Sequence, residues 1–348
     1  MKFKKLVALS LTMIMSVGLL VGCGSDKGSE GSASTDEKIT VGMITDVGGV
    51  NDESFNQSAW EGLQAVKKEL GADKVDVKYL ESKQDADYKP NIEQFVDQEL
   101  DLIIGIGYKL ADAIQEAAKH YPEQEFAIVD HSYEKQPENV TSLLFEDNVS
   151  GYLVGLIAGK MSETGKVGFV GGIESVVLDK FENGFKAGVL AANPKAEILV
   201  QYANSFSDSA LGKSIANSMI SKGADVIFPC AGAAGTGAIE AVKESDKMAI
   251  GVDRDQNDLA PDHVITSAMK NVNNAVAELV KSLVDGSYKA GEVKISTLST
   301  GGVGIAPTSE KNVPAEVLTY VEEKSKEIID GKITVPASDE EYSELIGE

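Results

Sequence analysis

Cysteine and histidine are scarce in this chain of 348 residues, which has 2 Cys and 3 His. Two thiols cannot build a disulfide framework, and so few ligands exclude a zinc cluster of the His/Cys type. Basic residues are also in the minority, with 32 Lys and Arg against 55 Asp and Glu and a formal net charge of -23. Such a surface repels the phosphates of nucleic acid and of anionic lipid. We therefore predict no metal site and no nucleic-acid partner.

Sequence motifs of phosphate-binding and catalytic sites are missing as well. There is no G-x-x-x-x-G-K-[ST] loop and no G-x-S-x-G elbow, and Gly235–Gly237 does not complete G-x-G-x-x-G. Asp253 and Asp255 are the only close pair of acids near the strand ends that would form a cleft. A nucleoside hydrolase, which needs paired acids or a metal cluster, is the enzymatic alternative. Our prediction is that the protein is not an enzyme and has no catalytic residue and no cofactor.

Residues 1–22 have the features of an export signal. Three lysines precede an apolar run from Leu6 to Leu20, which at about 15 residues is shorter than the roughly 20 of a membrane-spanning helix. Leu20–Cys23 resembles a bacterial lipobox, in which cleavage before the cysteine leaves a thiol that carries diacylglycerol. The alternative is an ordinary signal peptide with an incidental cysteine. Because residues 23–37 are rich in Gly and Ser, as in a flexible tether, we predict lipidation of Cys23.

The remaining thiol, Cys230, ends the apolar run Val226–Cys230, which predicts a buried packing residue and not a nucleophile. Removal of residues 1–22 takes away three lysines and no acid, so the mature chain would have a formal net charge of -26. The three histidines are far apart and are predicted to be ordinary surface or core residues.

Short β-branched runs alternate with longer amphipathic stretches after the tether, a pattern typical of βαβ units and a parallel sheet. The alternation restarts near residue 149, which predicts two doubly wound α/β lobes joined by a hinge. We assign 38–146 with about 271–295 to the N-terminal lobe, and 147–270 with about 296–348 to the C-terminal lobe. Ligands of open α/β sheets lie beyond the carboxyl ends of the strands, so the residues after each strand should line a shared cleft.

The loop after the first predicted strand is unusually long. It contains glycines, acids and amides between Thr45 and Gln57, whereas a βα turn normally has about 2–6 residues. Asp52 or Ser54 could cap the next helix, and Phe55 is either a staple on its own helix or a platform for a ligand. Arg254, the only arginine, is flanked by two acids, which predicts either a local ion pair or a cleft rim that holds those acids.

Read together, these loops resemble the basic membrane protein (BMP) family of bacterial lipoproteins. The resemblance extends from the lipobox to Ile333–Pro336, and the first loop and the Gly-Val-Asp-x-Asp-Gln stretch are its most specific parts. The matching segments are Asp46–Asn56, Trp60–Gly62, Phe126–Asp130, Asn183–Phe185, Ser205–Asp208, Gly251–Gln256 and Thr266–Lys270. Characterised members are purine nucleoside receptors of ABC importers, so the resemblance implies a type I periplasmic-binding-protein fold.

The resemblance also implies roles for eight residues. Phe55 and Phe206 would sandwich the base, one ring from each lobe. Polar edges of the base or sugar would be met by Asp46, Asn56 and Asp130. Asp253 and Lys270 would bind the ribose hydroxyls, and Gly232 would let the ligand approach the backbone closely. Two departures from the family pattern are Cys230, where the family often has a histidine, and the bulky Tyr108.

The sequence therefore predicts a lipid-anchored, monomeric receptor at the extracytoplasmic face of the cell membrane. It would bind a purine nucleoside of the guanosine, inosine or adenosine type and deliver it to the permease subunits of an ABC transporter. The acidic charge disfavours a phosphorylated ligand. Two alternatives remain, a sugar receptor of the same fold and a signalling lipoprotein that presents its ligand to a membrane sensor.

Overall fold

The computed structural model describes residues 38–347, in which strands and helices alternate along the chain. The predictions on the signal peptide, on Cys23 and on the tether lie outside the described residues. Between residues 38 and 347, no helix combines the length and the apolar character that crossing a bilayer requires.

Twelve strands and eleven helices make up this region. The strands are β1 (Ile39–Ile44), β2 (Val75–Leu80), β3 (Leu102–Gly105), β4 (Glu125–Val129), β5 (Val140–Phe145), β6 (Lys166–Gly171), β7 (Glu197–Tyr202), β8 (Val226–Cys230), β9 (Met248–Asp253), β10 (Val264–Lys270), β11 (Val293–Ser296) and β12 (Val303–Ile305). The helices are α1 (Phe55–Leu70), α2 (Tyr88–Val96), α3 (Ala111–His120), α4 (Asp147–Met161), α5 (Val176–Ala192), α6 (Ser209–Ser221), α7 (Gly232–Glu244), α8 (Val272–Asp285), α9 (Ser309–Asn312), α10 (Ala315–Ile329) and α11 (Asp339–Ile346).

The strands form two six-stranded sheets, in the orders β11-β5-β4-β3-β1-β2 and β12-β10-β9-β8-β6-β7. All neighbouring strands are parallel except β12, which runs antiparallel to β10. The chain passes from β10 back to the first sheet at β11 and then returns to the second sheet at β12. We call the first sheet with α1–α3 and α8 the N-terminal lobe, and the second sheet with α4–α7 and α9–α11 the C-terminal lobe. Two parallel, doubly wound sheets were the predicted architecture.

Central strands are apolar because helices cover both faces of each sheet. Every residue of β3 and of β8 is buried, so neither shows the alternation of a half-exposed strand. The edge strand β11 has only four residues, of which two are exposed, and the sequence analysis did not find it. A short alternating run with little apolar content has no signal strong enough to separate it from a loop.

Helices α4 and α5 pack closely through glycines, and this contact places the start of α5 beside the cleft. A Cβ atom at Gly155 would overlap the carbonyl of Phe185, and one at Gly184 would overlap the carbonyl of Asn148. Glycine therefore lets the two backbones approach more closely than any other residue would allow. The first turns of α5 then direct Leu178 and Phe181 toward the space between the sheets.

Candidate functional site

A cavity lies between the two sheets, beyond the carboxyl ends of their strands. The space between its lining residues, including the open mouth, is about 580 Å³. It is lined by Asp46, Gly48, Asp52, Phe55, Asn56, Gly107, Tyr108, Asp130, Val177, Leu178, Phe181, Phe206, Cys230, Ala231, Gly232, Asp253 and Lys270. All eight residues predicted to bind the ligand are in this set, so the fold brings them together; their contacts with a ligand remain a prediction.

The loop after β1 forms one wall of the cavity through a closed set of hydrogen bonds. The Asn56 side-chain amide donates to Asp46 Oδ1 at 2.8 Å and to Asp52 Oδ2 at 2.9 Å, and its oxygen accepts from the Asp46 backbone N–H at 3.2 Å. These bonds use both amide hydrogens of Asn56. Asn56 therefore orients the Asp46 carboxylate and has no free amide hydrogen for the cavity. Burial raises the pKa of Asp46 to about 6.

Asp52 caps helix α1, which begins at Phe55, three residues before the Ser58–Leu70 stretch whose apolar spacing predicts the helix. Its carboxylate accepts from the backbone N–H groups of Ser54, Asn56 and Gln57 at 2.9–3.1 Å. The other candidate cap, Ser54, instead donates its hydroxyl to Asp253 of the opposite lobe. Asp52, which caps the helix, and Ser54, which contacts the opposite lobe, are thus two residues apart in one loop.

Phe55 follows directly and lines the cavity while its inner side packs on the core. Lys270 Nζ lies 5.3 Å from the centre of its ring. Gly107, which has a φ of 104° that favours glycine, lies beneath the ring, and a Cβ atom there would be 3.3 Å from Phe55 Cε1. Both readings of Phe55 therefore apply in part, because the ring is packed on its own lobe and also faces the cavity.

Lys270 is the buried charge at the centre of the site, with a side chain that is 1% exposed. Its Nζ lies 2.7 Å from Asp130 and 3.0 Å from Asp147. Burial alone would lower the pKa of Lys270, but Asp130, Asp147 and Asp253 outweigh this and raise it. Lys270 is therefore a permanent cation. Because Lys270 ends strand β10 of the C-terminal lobe and Asp130 belongs to the N-terminal lobe, their ion pair joins the two lobes.

Asp130 and Asp253 occupy matching places in the two lobes. Each stands at the end of the fourth strand of its lobe, and each has a left-handed backbone, with φ of 67° and 66° respectively. This conformation is uncommon for residues other than glycine and is concentrated at functional sites. Burial raises the pKa of Asp253 to about 7, although Lys270 and the hydrogen bond from Ser54 act in the opposite direction.

Phe206 belongs to the loop between β7 and α6 in the C-terminal lobe, and it lines the cavity from that side. A Cβ atom at Gly172 would overlap its ring, and one at Gly232 would be 3.0 Å from its carbonyl oxygen. Glycines thus make room for the ring and for the backbone at this wall. Phe206 is only half-buried, since its neighbours Ser207 and Asp208 are exposed.

Arg254 corrects one sequence-based expectation. Its guanidinium lies 2.8 Å from Glu53 and 3.7 Å from Glu61, both in the N-terminal lobe, and it does not pair with either flanking acid. Asp255 accepts instead from the Thr308 hydroxyl at 2.6 Å. Asp253 lines the cavity, whereas Arg254 and Asp255 do not. The close acid pair that the sequence predicts for the cleft, Asp253 and Asp255, therefore does not face the cavity together.

Several residues of the site were missed from the sequence. Asp147 was missed as a partner of Lys270, although the strand-end rule applied to β5 would have found it two residues beyond Phe145. The apolar wall from α5 has no signal that distinguishes it from an ordinary helix face. Cys230 is buried as predicted and burial raises the pKa of its thiol, but it also lines the cavity. Residues 38–347 contain no group of three or more acidic, His or Cys side chains suited to a metal ion.

One cavity enclosed by two doubly wound lobes is the arrangement of a solute-binding protein. The chain belongs to the Bmp family, ABC transporter substrate-binding proteins that are PnrA-like, and the family profile matches residues 39–339. It is 44% identical to the CD4+ T-cell-stimulating antigen of Listeria innocua, over 96% of this chain and 99% of the relative. It is 40% identical to the ABC transporter nucleoside-binding protein BmpA of Lactococcus lactis, again over 96% and 99%.

Solved structures agree with this assignment. An ABC transporter solute-binding protein from Aeropyrum pernix matches with a TM-score of 0.81 and 29% identity, over 89% of this chain and 97% of that chain. The predicted family and the predicted periplasmic-binding-protein fold are therefore confirmed. The family consists of substrate-binding proteins of ABC transporters and not of enzymes, which also confirms the prediction of a non-enzymatic role.

Proposed function

We propose that this protein is a lipid-anchored receptor that captures a purine nucleoside between its lobes and delivers it to the permease of an ABC importer. The observation that carries the proposal is a cavity lined by phenyl rings of both lobes, Phe55 from the N-terminal lobe and Phe206 and Phe181 from the C-terminal lobe, with carboxylates on both sides. The nucleoside-binding name of the Lactococcus lactis relative supports this ligand class.

Two rings on opposite lobes suit a flat heterocycle. Stacking of a base on an aromatic side chain contributes about 1–3 kcal/mol and tolerates any base. Phe55 comes from the N-terminal lobe and Phe206 from the C-terminal lobe, so both stacking contacts form only when the lobes approach each other. The nucleoside would therefore favour the closed conformation by binding it more tightly than the open one.

The charges of the cavity favour a neutral ligand with several hydrogen-bond donors. Asp46, Asp52, Asp130 and Asp253 line it, whereas Lys270 is the only lining cation and already contacts Asp130 and Asp147. Ribose hydroxyls and ring N–H groups can donate to carboxylates, but a phosphate would meet like charge in a partly dry site. We expect nucleosides to bind and nucleotides to be rejected.

The sugar alternative draws less support from this site. Sugar receptors usually direct an arginine at the hydroxyls, and the only arginine of the chain is held by Glu53 outside the cavity. The signalling alternative uses the same cavity and differs only in the membrane partner, so binding measurements do not separate it from import.

Titration calorimetry tests the ligand class directly. Guanosine, inosine and adenosine should bind, and guanosine monophosphate should bind at least about 100-fold more weakly because of the carboxylates. Native mass spectrometry of the purified protein would detect a ligand retained from the host. Binding of free ribose with no response to any nucleoside would overturn the proposal in favour of a sugar receptor.

Anchoring and import require a second experiment in cells. A Cys23→Ser variant should be released from the membrane fraction and should lose the mass of the lipid, while its isolated nucleoside affinity stays unchanged. Deletion of the whole chain should reduce uptake of labelled guanosine. Normal uptake in the deletion strain would argue for the signalling role.

A further inference from the structure

The C-terminal lobe holds Glu53, in the loop after β1 of the N-terminal lobe, by two hydrogen bonds that lie next to the Ser54–Asp253 contact. Arg254 donates to the Glu53 carboxylate at 2.8 Å, and the Gln256 side-chain amide donates to the Glu53 backbone carbonyl at 2.7 Å. Both donors follow β9, whereas Glu53 follows β1, so these bonds cross from one sheet to the other. We call Glu53, Arg254 and Gln256 the clasp.

Gln256 is a rigid donor because the rest of its amide is already engaged. Its Oε1 accepts from the Val252 backbone N–H at 2.9 Å, and its own backbone N–H donates to Ser267 Oγ at 3.1 Å. The side chain is 2% exposed. The amide nitrogen is therefore held in place by its own lobe and points at the carbonyl of the other.

Glu53 lies immediately before the part of the loop that faces the cavity. Its φ of 55° is a left-handed conformation, which for a residue other than glycine persists only where surrounding contacts hold it. Ser54, whose hydroxyl donates to Asp253, and Phe55, whose ring faces the cavity, are the next two residues. Holding both the carboxylate and the carbonyl of Glu53 therefore fixes the backbone that aims the Phe55 ring.

We propose that Arg254 and Gln256 are positioning residues that set the residence time of the ligand, because they hold Glu53, and with it the Phe55 ring, in place across the closed cleft. The proposal rests on the proposed function in that the retained ligand is a nucleoside. Neither residue lines the cavity, so the clasp acts on the lifetime of the closed state and not through ligand contacts. It slows dissociation and leaves association nearly unchanged.

Release of labelled guanosine from the detergent-solubilised full-length chain, chased with unlabelled guanosine, tests the clasp. Arg254→Met removes the charge and keeps the aliphatic stem, and Glu53→Gln removes the other charge and keeps the carbonyl. We expect each to speed release about fivefold, since the ion pair is partly exposed, and the double variant to be no faster than the singles. Gln256→Glu keeps the acceptor for Val252 but places an oxygen against the Glu53 carbonyl, so release should be about tenfold faster or more.

Lys281→Met is the matched control, because Lys281 pairs with Glu69 at 2.8 Å within the N-terminal lobe and away from the cavity. Its release rate should equal that of the wild type. Raising NaCl from 0.05 to 0.5 M should speed release from the wild type and leave Arg254→Met unchanged, a response that a purely structural role would not give. Wild-type release rates in Arg254→Met, Glu53→Gln and Gln256→Glu alike would overturn the proposal.

A second measurement separates the clasp from the identity of the ligand. Spin labels at Lys83→Cys and Lys222→Cys, exposed positions on the N-terminal and the C-terminal lobe, report the distance between the lobes of the protein without added nucleoside. The distribution should broaden toward longer distances in Arg254→Met and not in Lys281→Met. If the wild type binds no guanosine, the proposed function is wrong, and the distance distribution still tests the clasp by itself. Equal distributions in the wild type and in all variants would overturn the clasp.

Discussion

The two walls of the cavity are built differently. On the N-terminal side, four polar residues of the loop after β1 are buried and hydrogen-bonded to one another or to the opposite lobe: Asp46, Asp52, Ser54 and Asn56. On the C-terminal side Phe206 is in a loop whose other residues from 204 to 208 are mostly exposed. That loop is held mainly by the Ser205 hydroxyl, which accepts from two backbone N–H groups, and by the cap of α6.

This difference indicates that the two walls of the cavity differ in rigidity. A wall whose polar groups already satisfy one another presents a fixed arrangement and loses little entropy when a ligand arrives. A loop whose polar residues are mostly exposed has fewer contacts that hold it and moves more easily. We therefore predict that the N-terminal wall keeps its shape when a ligand binds, whereas the C-terminal loop adjusts.

The largest effect should come from breaking the charge cluster that joins the walls. Lys270→Met would leave Asp130 and Asp147 buried without their cation. Removing one partner of a buried ion pair costs about 3–5 kcal/mol, so urea unfolding should show a loss of that order. The exposed pair of Lys281 provides the control, and Lys281→Met should cost less than about 1 kcal/mol. A similar small loss for Lys270→Met would show that the cluster is not structurally important.

Alanine substitutions of the two rings should show that both walls contact the ligand. Phe55→Ala and Phe206→Ala should each weaken guanosine binding at least about tenfold, because each removes one stacking partner. Both rings are partly buried and pack on the core, so each loss should also lower the free energy of unfolding by about 2 kcal/mol. Calorimetry and urea unfolding of both variants test this, and unchanged affinity in Phe206→Ala would remove that ring from the site.

The pH dependence of stability compares one acid from each wall. Burial raises the pKa of Asp46 to about 6 and that of Asp253 to about 7, above the usual value of an unfolded aspartate, so the folded state binds more protons in this window. The stabilisation from these groups is present at about pH 4 and is lost as pH rises through 6 and 7, on the order of 4 kcal/mol between pH 5 and 8. Unfolding experiments across this range should show Asp253→Asn with a flatter profile, especially above pH 6. A profile identical to the wild type would contradict the assignment.

The smallest effect should come from two glycines beneath the rings. In Gly172→Ala the new methyl group overlaps the Phe206 ring, and the adaptable C-terminal loop can move to relieve the overlap. We expect guanosine affinity to fall about threefold with little change in stability. In Gly107→Ala the left-handed backbone is strained in the rigid wall, so stability should fall by about 1–2 kcal/mol. Equal losses of stability in both variants would contradict the contrast between the walls.

Much of the fold followed from local pattern. The β-branched runs Ile39–Ile44, Val75–Leu80 and Val140–Phe145 predict the observed bounds of β1, β2 and β5, because such runs end at clear turn residues. Helix starts were less accurate, since the first turn of α1 is polar and is defined by the Asp52 cap and not by apolar spacing. The edge strand β11 was not predicted because its pairing with β5, and not its own composition, makes it a strand.

The site shows the same limit. The strand-end rule and the family resemblance together identified eight residues that share one cavity. Neither could assign the partners of those residues: Arg254 pairs with Glu53 across the cleft and not with its neighbours, and Asn56 is occupied by Asp46 and Asp52. These partners are far apart in sequence or depend on side-chain geometry.

The amino-acid sequence alone determined the family, the alternation of strands and helices and the residues at the strand ends, because periodicity and loop chemistry act over a few neighbouring positions. Only the tertiary structure decided which of those groups are paired, buried or left facing the cavity. The energy of a buried charge depends on everything packed around it, and for Lys270 that means Asp130, 140 positions away, and Asp147 at the start of helix α4. No local pattern contains that information, since it arises only when two sheets meet.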